Sequence, residues 1–409
     1  MAFQIKNTYY QNILKLLGGS LVSQVIIIAA TPIVARTYSD NEFGIQGILF
    51  SVYSVICFLV TLKLENTLLT DNEFSQKQII GLLSRLLILI SIITIFPVII
   101  FQDEISGILN IHSDSYYFLY LLPILLIINQ LYEFLIITLN KNQSYNKIIS
   151  TKISYSLSSN LGQIICGIAG SNALGLIIPQ LASKTVLIVK SKLLKNVSLK
   201  KQKFQRVFFE KNINYIKYET PSSVINSFNS QGPLLLISNL YSISLGGQYF
   251  MSQRLLQLPI TFFSHSVLES FRERISNSKT LEESRKIFLN TIKVVFITII
   301  IPFIILSIYI EPLISYVLGD GWEDVSKISL YLLPSLFLRF FSYPLSFVLL
   351  LKKKQIVNLY CNILVFGSLL FLFFTKPEFN RLLIYISIIQ GVRSLVIVYF
   401  SYNSLKDTT

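Results

Sequence analysis

Charge is scarce in this chain of 409 residues: 14% of it is Asp, Glu, Lys or Arg, against about 25% in an ordinary soluble domain. With 52% hydrophobic residues, that shortage excludes a disordered protein and a typical soluble enzyme. Cysteine is sparse as well. Cys57, Cys166 and Cys361 are the three present, and all lie inside apolar runs. They offer no metal-ligand spacing and no disulfide framework. A G-x-x-x-x-G-K-S/T segment is missing, so the chain spends no ATP through a P-loop; H-E-x-x-H is missing too. The start, MAFQIKNTYYQNILK, has no small-residue cleavage site after a short apolar core. It reads as a retained cytoplasmic arm leading into a first span.

What is abundant is apolar sequence. Runs of about 20 residues recur along the whole length, which makes the bilayer the relevant solvent. Mean hydropathy is +0.60. The runs place spans at about 13–35, 43–63, 79–101, 116–139, 150–170, 173–193, 218–240, 246–268, 288–310, 327–351, 356–375 and 381–403. Twelve spans take about 240 residues. Short loops use the rest, so no soluble catalytic domain fits. The expected fold is an all-α integral membrane protein of about 12 transmembrane helices, in two six-helix lobes around a central cavity. The expected divisions are an N-lobe at 1–194, a basic cytoplasmic linker at 195–217 and a C-lobe at 218–409.

The formal net charge is +14, from 35 Lys and Arg against 21 Asp and Glu. In a membrane protein such an excess is first a topology signal, because Lys and Arg stay on the cytoplasmic side. With the N-terminus inside, the inner segments carry Lys63, Lys77, Lys141, Lys147, Lys195, Lys211, Arg272, Arg285 and Lys352 among others. The outer segments hold Arg36, Lys327, Lys376 and Arg381, all beside span ends. The outer loop at 102–115 has three acids and no Lys or Arg. This asymmetry predicts both termini in the cytoplasm. The linker KNVSLKKQKFQRVFFEKNINYIK reads first as a segment lying on anionic headgroups, and second as a specific partner site.

The two halves resemble each other. TPIVARTYSDNEFGIQGILFSVYSV in the first is similar to GPLLLISNLYSISLGGQYFMSQRLL in the second. Each has a Pro in the outer part of a span (Pro32, Pro233), then a Gly early in the next helix (Gly44, Gly246), then an acid at the following inner end (Glu65, Glu269). Two lobes related by an axis along the membrane normal would produce this pattern.

Charged side chains deep in a span are costly and are usually paired or functional. Lys184, Arg254, Arg339 and Arg393 lie about 8–12 residues into their spans, counted by helix rise and span limits. Arg36 marks the outer end of the first. The acids Glu65, Glu133, Glu219 and Glu269 fall near inner ends. Unneutralised cations at mid-depth require water or an anionic guest, so the sequence predicts a hydrated cationic cavity. Arg suits phosphate through its bidentate fork. Snorkelling is the alternative for any one of them, and the stronger reading for Arg85. The first and seventh spans are polar and bendable. Ser23, Gln24, Asn226, Asn229 and Gln231 are the expected cavity-lining groups, and Pro32 and Pro233 the expected hinges. Close helix packing by small polar residues is the alternative. Glu65 and Glu133 are candidates for proton or sodium coupling, against ordinary pairing with Lys63 or Arg85.

Ala35-Arg36-Thr37-Tyr38-Ser39 with Glu42-Phe43-Gly44 resembles the A-R-x-Y-S-P-x-x-F-G segment of the Wzx-like polysaccharide and O-antigen flippases. These are a branch of the multidrug/oligosaccharidyl-lipid/polysaccharide (MOP) exporter superfamily. Leu62–Leu69, LKLENTLL, resembles that family's R-Y-E-x-A-I segment. Leu318–Ser346 is similar to its G-x-x-W-x-x-A turn and the span with Arg and P-L-S that follows. Asp40 stands where the family usually has Pro, and Lys63 where Arg is typical. The resemblance implies a transporter of the Gram-negative inner membrane. It would move undecaprenyl-pyrophosphate-linked oligosaccharide repeat units from the inner to the outer leaflet by alternating access. It implies no cofactor beyond a coupling proton or sodium ion. The expected partners are the lipid-linked oligosaccharide, membrane lipids, and the polymerase and chain-length regulator of the same pathway; nucleic acid is not expected. The competing readings are a small-molecule or multidrug exporter of the same superfamily, a membrane-embedded polysaccharide-processing enzyme, and a non-transporting scaffold. Multidrug antiporters commonly place acids at mid-depth, whereas the mid-depth charge here is basic.

Overall fold

A computed structural model describes residues 2–71, 73–110, 113–197, 205–278 and 280–406; side chains are described from residue 18 onward, except at 113–116, 205, 258–263 and 265–266. Every one of the twelve expected spans coincides with a long helix. These are α1 (Ala2–Thr37), α2 (Asp40–Thr61), α3 (Gln76–Ile93), α4 (Leu122–Lys141), α5 (Tyr145–Ile168) and α6 (Leu174–Lys190). They continue with α7 (Thr220–Leu240), α8 (Ile243–Ser276), α9 (Leu281–Leu318), α10 (Glu323–Leu345), α11 (Ile356–Thr375) and α12 (Phe379–Asn403). There is no strand among the described residues.

Local chemistry sets the helix starts. Ser39 caps α2 with a reciprocal bond from Glu42, whose carboxylate accepts the Ser39 amide at 2.7 Å. Ser75 and Gln78 repeat the device at α3. Such boxes satisfy amides that the first turn cannot bond internally. Ser242 caps α8, so the second helix of each internal repeat begins on a serine.

Eight of the described helices, α1–α4 and α9–α12, are long and apolar enough to cross a membrane by length and composition. The middle four are more polar or shorter. α5 carries Lys152, Ser158, Asn160 and Gln163, and α6 has 17 residues, a length of about 26 Å at the usual rise. Exposed Ile168, Ile297 and Phe374 mark lipid-facing surface.

The chain divides into two compact units, Met1–Ser227 and Phe228–Thr409. Within the first, α1 packs along α5 and α5 along α6, while α3 packs on α4. Val60, Leu64, Ile79, Leu83, Phe134 and Phe208 form part of its apolar core. Within the second, α10 is the hub, packed against α8, α9 and α12. Phe288, Phe341, Leu345 and Val348 belong to the core there. Close approach is purchased with glycine at α1–α5: a Cβ on Gly19 would lie 2.9 Å from Ile149 Cβ.

Of the linker, residues 198–204 lie outside the described part. The rest is tied to the first unit. A helix at Gln205–Lys211 seats Phe208 in the core. Lys211 Nζ sits 2.9 Å from Glu73 and 3.4 Å from Asp71.

Candidate translocation site

In the first unit, four helices bring polar groups to one place. Lys184 on α6 donates to Oδ1 of buried Asn129 on α4. Its ammonium lies 5.3 Å from the Tyr132 ring and 5.0 Å from the Tyr155 ring. Those rings pack against each other at 5.6 Å. The Tyr155 hydroxyl donates to Gln180, one turn before Lys184. Lys152 donates to Ser20 of α1 at 3.2 Å. Glu133 is exposed and within electrostatic reach of Lys184, Glu65, Lys152 and Lys63.

Lys184 is therefore attended by a carboxylate, which the spacing of acids along the sequence does not reveal. Glu133 is far from Lys184 in the chain, but α4 and α6 run side by side. Glu65 sits in a turn after α2, buried, with Lys63 at 3.9 Å. Arg36 lies exposed in the last turn of α1, where a cation suits the helix dipole. α1 continues through Pro32 without a break. Ser23 is buried and bonds back to Gly19 of its own helix at 3.0 Å, while Gln24 is half-buried.

In the second unit, Arg254 on α8, Arg339 on α10 and Arg393 on α12 lie on three neighbouring helices. Arg339 is exposed; Arg254 and Arg393 are half-buried. The charge of Arg339 acts on Arg393 of the neighbouring helix. Tyr249 and Tyr343 flank Arg339, and Gln253 donates to the Tyr249 hydroxyl at 2.6 Å. The guanidinium of Arg339 makes no ion pair among the described residues. α10 beyond Asp324, and all of α11 and α12, contain no Asp or Glu. Two cations thus share a region whose own helices supply no carboxylate.

On α7, Asn229 is buried and donates to the Asn362 carbonyl of α11 at 2.8 Å. Asn226 is exposed, Gln231 half-buried, and Pro233 buried within the helix. A groove of about 820 Å³ between α11 and α12 is lined by Ile363, Phe371, Tyr385 and Ile388 and has no charged side chain. It suits hydrocarbon, not a charged headgroup.

Sequence reasoning missed Asn129, Tyr132, Tyr155 and Gln180. Their signal is weak but present: Asn129, Tyr132 and Glu133 interrupt the run LPILLIINQLYEFLIIT with polar groups on one side of α4. It also missed Tyr249 and Gln253, one turn apart on α8.

The family described as polysaccharide biosynthesis protein matches residues 33–327. No curated protein matches the chain. Solved structures share the fold. An inward-facing multidrug resistance MATE family transporter of the MOP superfamily superposes with TM-score 0.66 at 12% identity, covering 94% of this chain and 96% of its own. The lipid II flippase MurJ, in an inward closed conformation, gives TM-score 0.72 at 16% identity, covering 96% and 87%. A MOP superfamily transporter from Pyrococcus furiosus, described as having a binding pocket of reverse polarity, gives 0.60 at 12%, covering 97% and 96%. Two of these neighbours are described as transporters and one as a flippase, and what the chain shares with them is the fold. The chain is a multi-pass, all-α membrane protein of this transporter fold.

Proposed function

The chain belongs to the polysaccharide biosynthesis protein family, and from that premise we propose that it is a flippase for undecaprenyl-pyrophosphate-linked oligosaccharide repeat units. It carries them from the inner to the outer leaflet of the bacterial inner membrane by alternating access. Both termini are cytoplasmic in this reading, as the loop charges predict. The lobes are 1–194 and 218–409, joined by the basic linker.

The observation that carries the proposal is the Arg339–Arg393 pair. Like charges on adjacent helices repel, and each arginine within a span is easier to hold beside a counter-charge. A diphosphate relieves both, and the planar fork of Arg matches its oxygens. A cationic drug would worsen both. Arg254 adds positive charge within the same unit; in the first unit, Arg36 is a further proposed contact, and Lys184, already attended by Glu133, is less suited to hold an anion. The polyprenyl tail stays in lipid during the passage. Glu133, and secondarily Glu65, are the carboxylates proposed for proton or sodium coupling, and Pro32 and Pro233 the points where α1 and α7 bend.

The test is complementation. A strain lacking the gene should accumulate lipid-linked repeat units on the cytoplasmic leaflet, and the intact gene should clear them. No accumulation in the deletion strain would refute the proposal.

A further inference from the structure

α7 is one continuous helix, Thr220–Leu240, yet the two compact units divide inside it, after Ser227. Side chains before and after that point are committed to different partners.

On the inner side the partners belong to the first unit. Ser227 donates to the Ser54 carbonyl of α2 at 2.8 Å, and its hydroxyl lies 3.1 Å from that of Ser54. The segment leading into α7 is fastened to the same unit at further places. Lys211 pairs with Glu73 and Asp71, the Phe208 ring meets Phe74 edge-on at 5.6 Å, and the hydroxyls of Tyr215 and Thr70 are 3.3 Å apart. A π turn at Tyr215–Glu219 joins these anchors to α7 with no loop between. One contact alone would describe a gate. A run of attachments from Phe208 to Ser227 describes membership of a body.

Beyond Ser227 the partners change to the second unit. The Phe228 ring meets Phe366 of α11 edge-on at 4.8 Å, and Asn229 donates to the Asn362 carbonyl. A Cβ on Gly232 would lie 3.3 Å from Leu369 Cδ1. Just past the outer end of the helix, Tyr241 donates to the Pro377 carbonyl in the α11–α12 turn.

The backbone is weakest at the same place. Pro233 has no N–H, so the carbonyl of Asn229, four residues earlier, lacks its helix bond. Gly232 beside it adds backbone freedom. The tethers therefore diverge where the hydrogen-bond ladder is interrupted.

We propose that α7 is a shared helix. During alternating access its inner turns, residues 220–227, travel with the first unit, and its outer turns travel with the second. The swivel lies at residues 228–229, one turn inward of the proline that permits it. A hinge of this kind absorbs a domain motion in a few backbone angles. The proposal rests on the transport reading and moves the mechanical division of the chain from residue 218 into α7.

The test uses full-length protein in which Cys57, Cys166 and Cys361 are replaced by Ala. In this background Ser54→Cys with Ser227→Cys should oxidise to a crosslink, and proteoliposomes should still transfer a fluorescent polyprenyl-diphosphate oligosaccharide at the unoxidised rate. A crosslink that stops transfer shows that the two positions part in each cycle and overturns the proposal, as does a pair that never oxidises. Pro233→Ala returns one bond to the Asn229 carbonyl and should slow transfer about tenfold, the kinetic equivalent of such a bond. An unchanged rate in Pro233→Ala overturns the swivel. Hydrogen exchange in detergent needs no cargo. Amides at 228–232 should exchange faster than those at 222–226 and 236–240, and Pro233→Ala should remove the difference. Uniform protection along α7 overturns the proposal even if the protein moves no lipid. Fast exchange at 228–232 in an intact protein that transfers no lipid counts against the flippase reading alone. If the cysteine pair fails to fold, Pro233→Ala and the exchange pattern decide.

Discussion

The ammonium of Lys184 sits 5.0 Å from the centre of the Tyr155 ring, while its hydrogens are directed at Asn129. A cation inside a span is tolerable when an aromatic face, an amide oxygen and a carboxylate surround it. Here Glu133 supplies the carboxylate. Arg339, in contrast, makes no ion pair among the described residues, and its charge acts on Arg393 of the neighbouring helix.

Replacing Asn129 with Leu should expose that difference. It removes the oxygen that accepts from Lys184 and should lower unfolding stability by about 1–2 kcal/mol, the lower part of the range for a bond to a charged group because Lys184 is half-buried. Thermal unfolding in detergent reads the change. Lys184→Met in the same background should recover part of the loss, since no cation then needs the oxygen.

Arg339→Ala and Arg393→Ala should each abolish surface polysaccharide while membrane insertion stays intact. Arg339→Lys should retain a fraction of activity, because the charge persists and the fork is lost. Surface polysaccharide staining and membrane immunoblots together measure both.

Gly19→Val should destabilise the first unit by about 1–3 kcal/mol, the usual cost of overpacking. The new side chain would enter the space of Ile149, where α1 runs along α5. Gly18→Ala, where a Cβ meets nothing within 4 Å, is the control and should be neutral. Differential unfolding of the two variants checks it.

The linker anchor should depend on pH. Burial alone would raise the Asp71 carboxyl, but the amides of Glu73 and Phe74 and the charge of Lys211 outweigh it and hold it below its ordinary value. A depressed carboxylate contributes stability that is present above its unfolded value, about 3.9, and lost as pH falls through the folded value. Lys211 is raised, first by its bond to Glu73. Its contribution is present below about 10.4 and lost as pH rises through the folded value. The helix at Gln205–Lys211 should therefore be best protected between about pH 4 and pH 10. Hydrogen exchange or protease cleavage across the linker measures this, and Asp71→Asn should weaken protection near neutral pH and flatten its acid-side dependence, because the titrating carboxyl is gone.

Helices α1–α4 and α9–α12 were legible because each is an apolar run near the length that hydrocarbon demands. Caps such as Ser39–Glu42 add local detail of the same kind. The inner positions of Lys184, Arg339 and Arg393 followed from counting along those runs. The cage around Lys184 did not, because Tyr132, Tyr155 and Gln180 come from three helices whose neighbours a linear sequence does not fix. Glu133 illustrates the cost. Its span position suggested a partner in Lys63 or Arg85, whereas packing of α4 beside α6 gives it Lys184 first. The anchor of Lys211 on Asp71 and Glu73 was hidden for the same reason. Its partners lie in a turn whose ordinary polar composition carries no sign of the contact.

Reconstitution tests the central claim most directly. Proteoliposomes carrying a fluorescent polyprenyl-diphosphate oligosaccharide in one leaflet would be followed by a quencher confined to the opposite side. Transfer should require the intact protein, stop in the Arg339→Ala, Arg393→Ala double variant, and fail for a polyprenyl oligosaccharide without phosphate. Equal transfer of the phosphate-free lipid, or undiminished transfer by the double variant, would contradict a flippase that holds its cargo by the diphosphate.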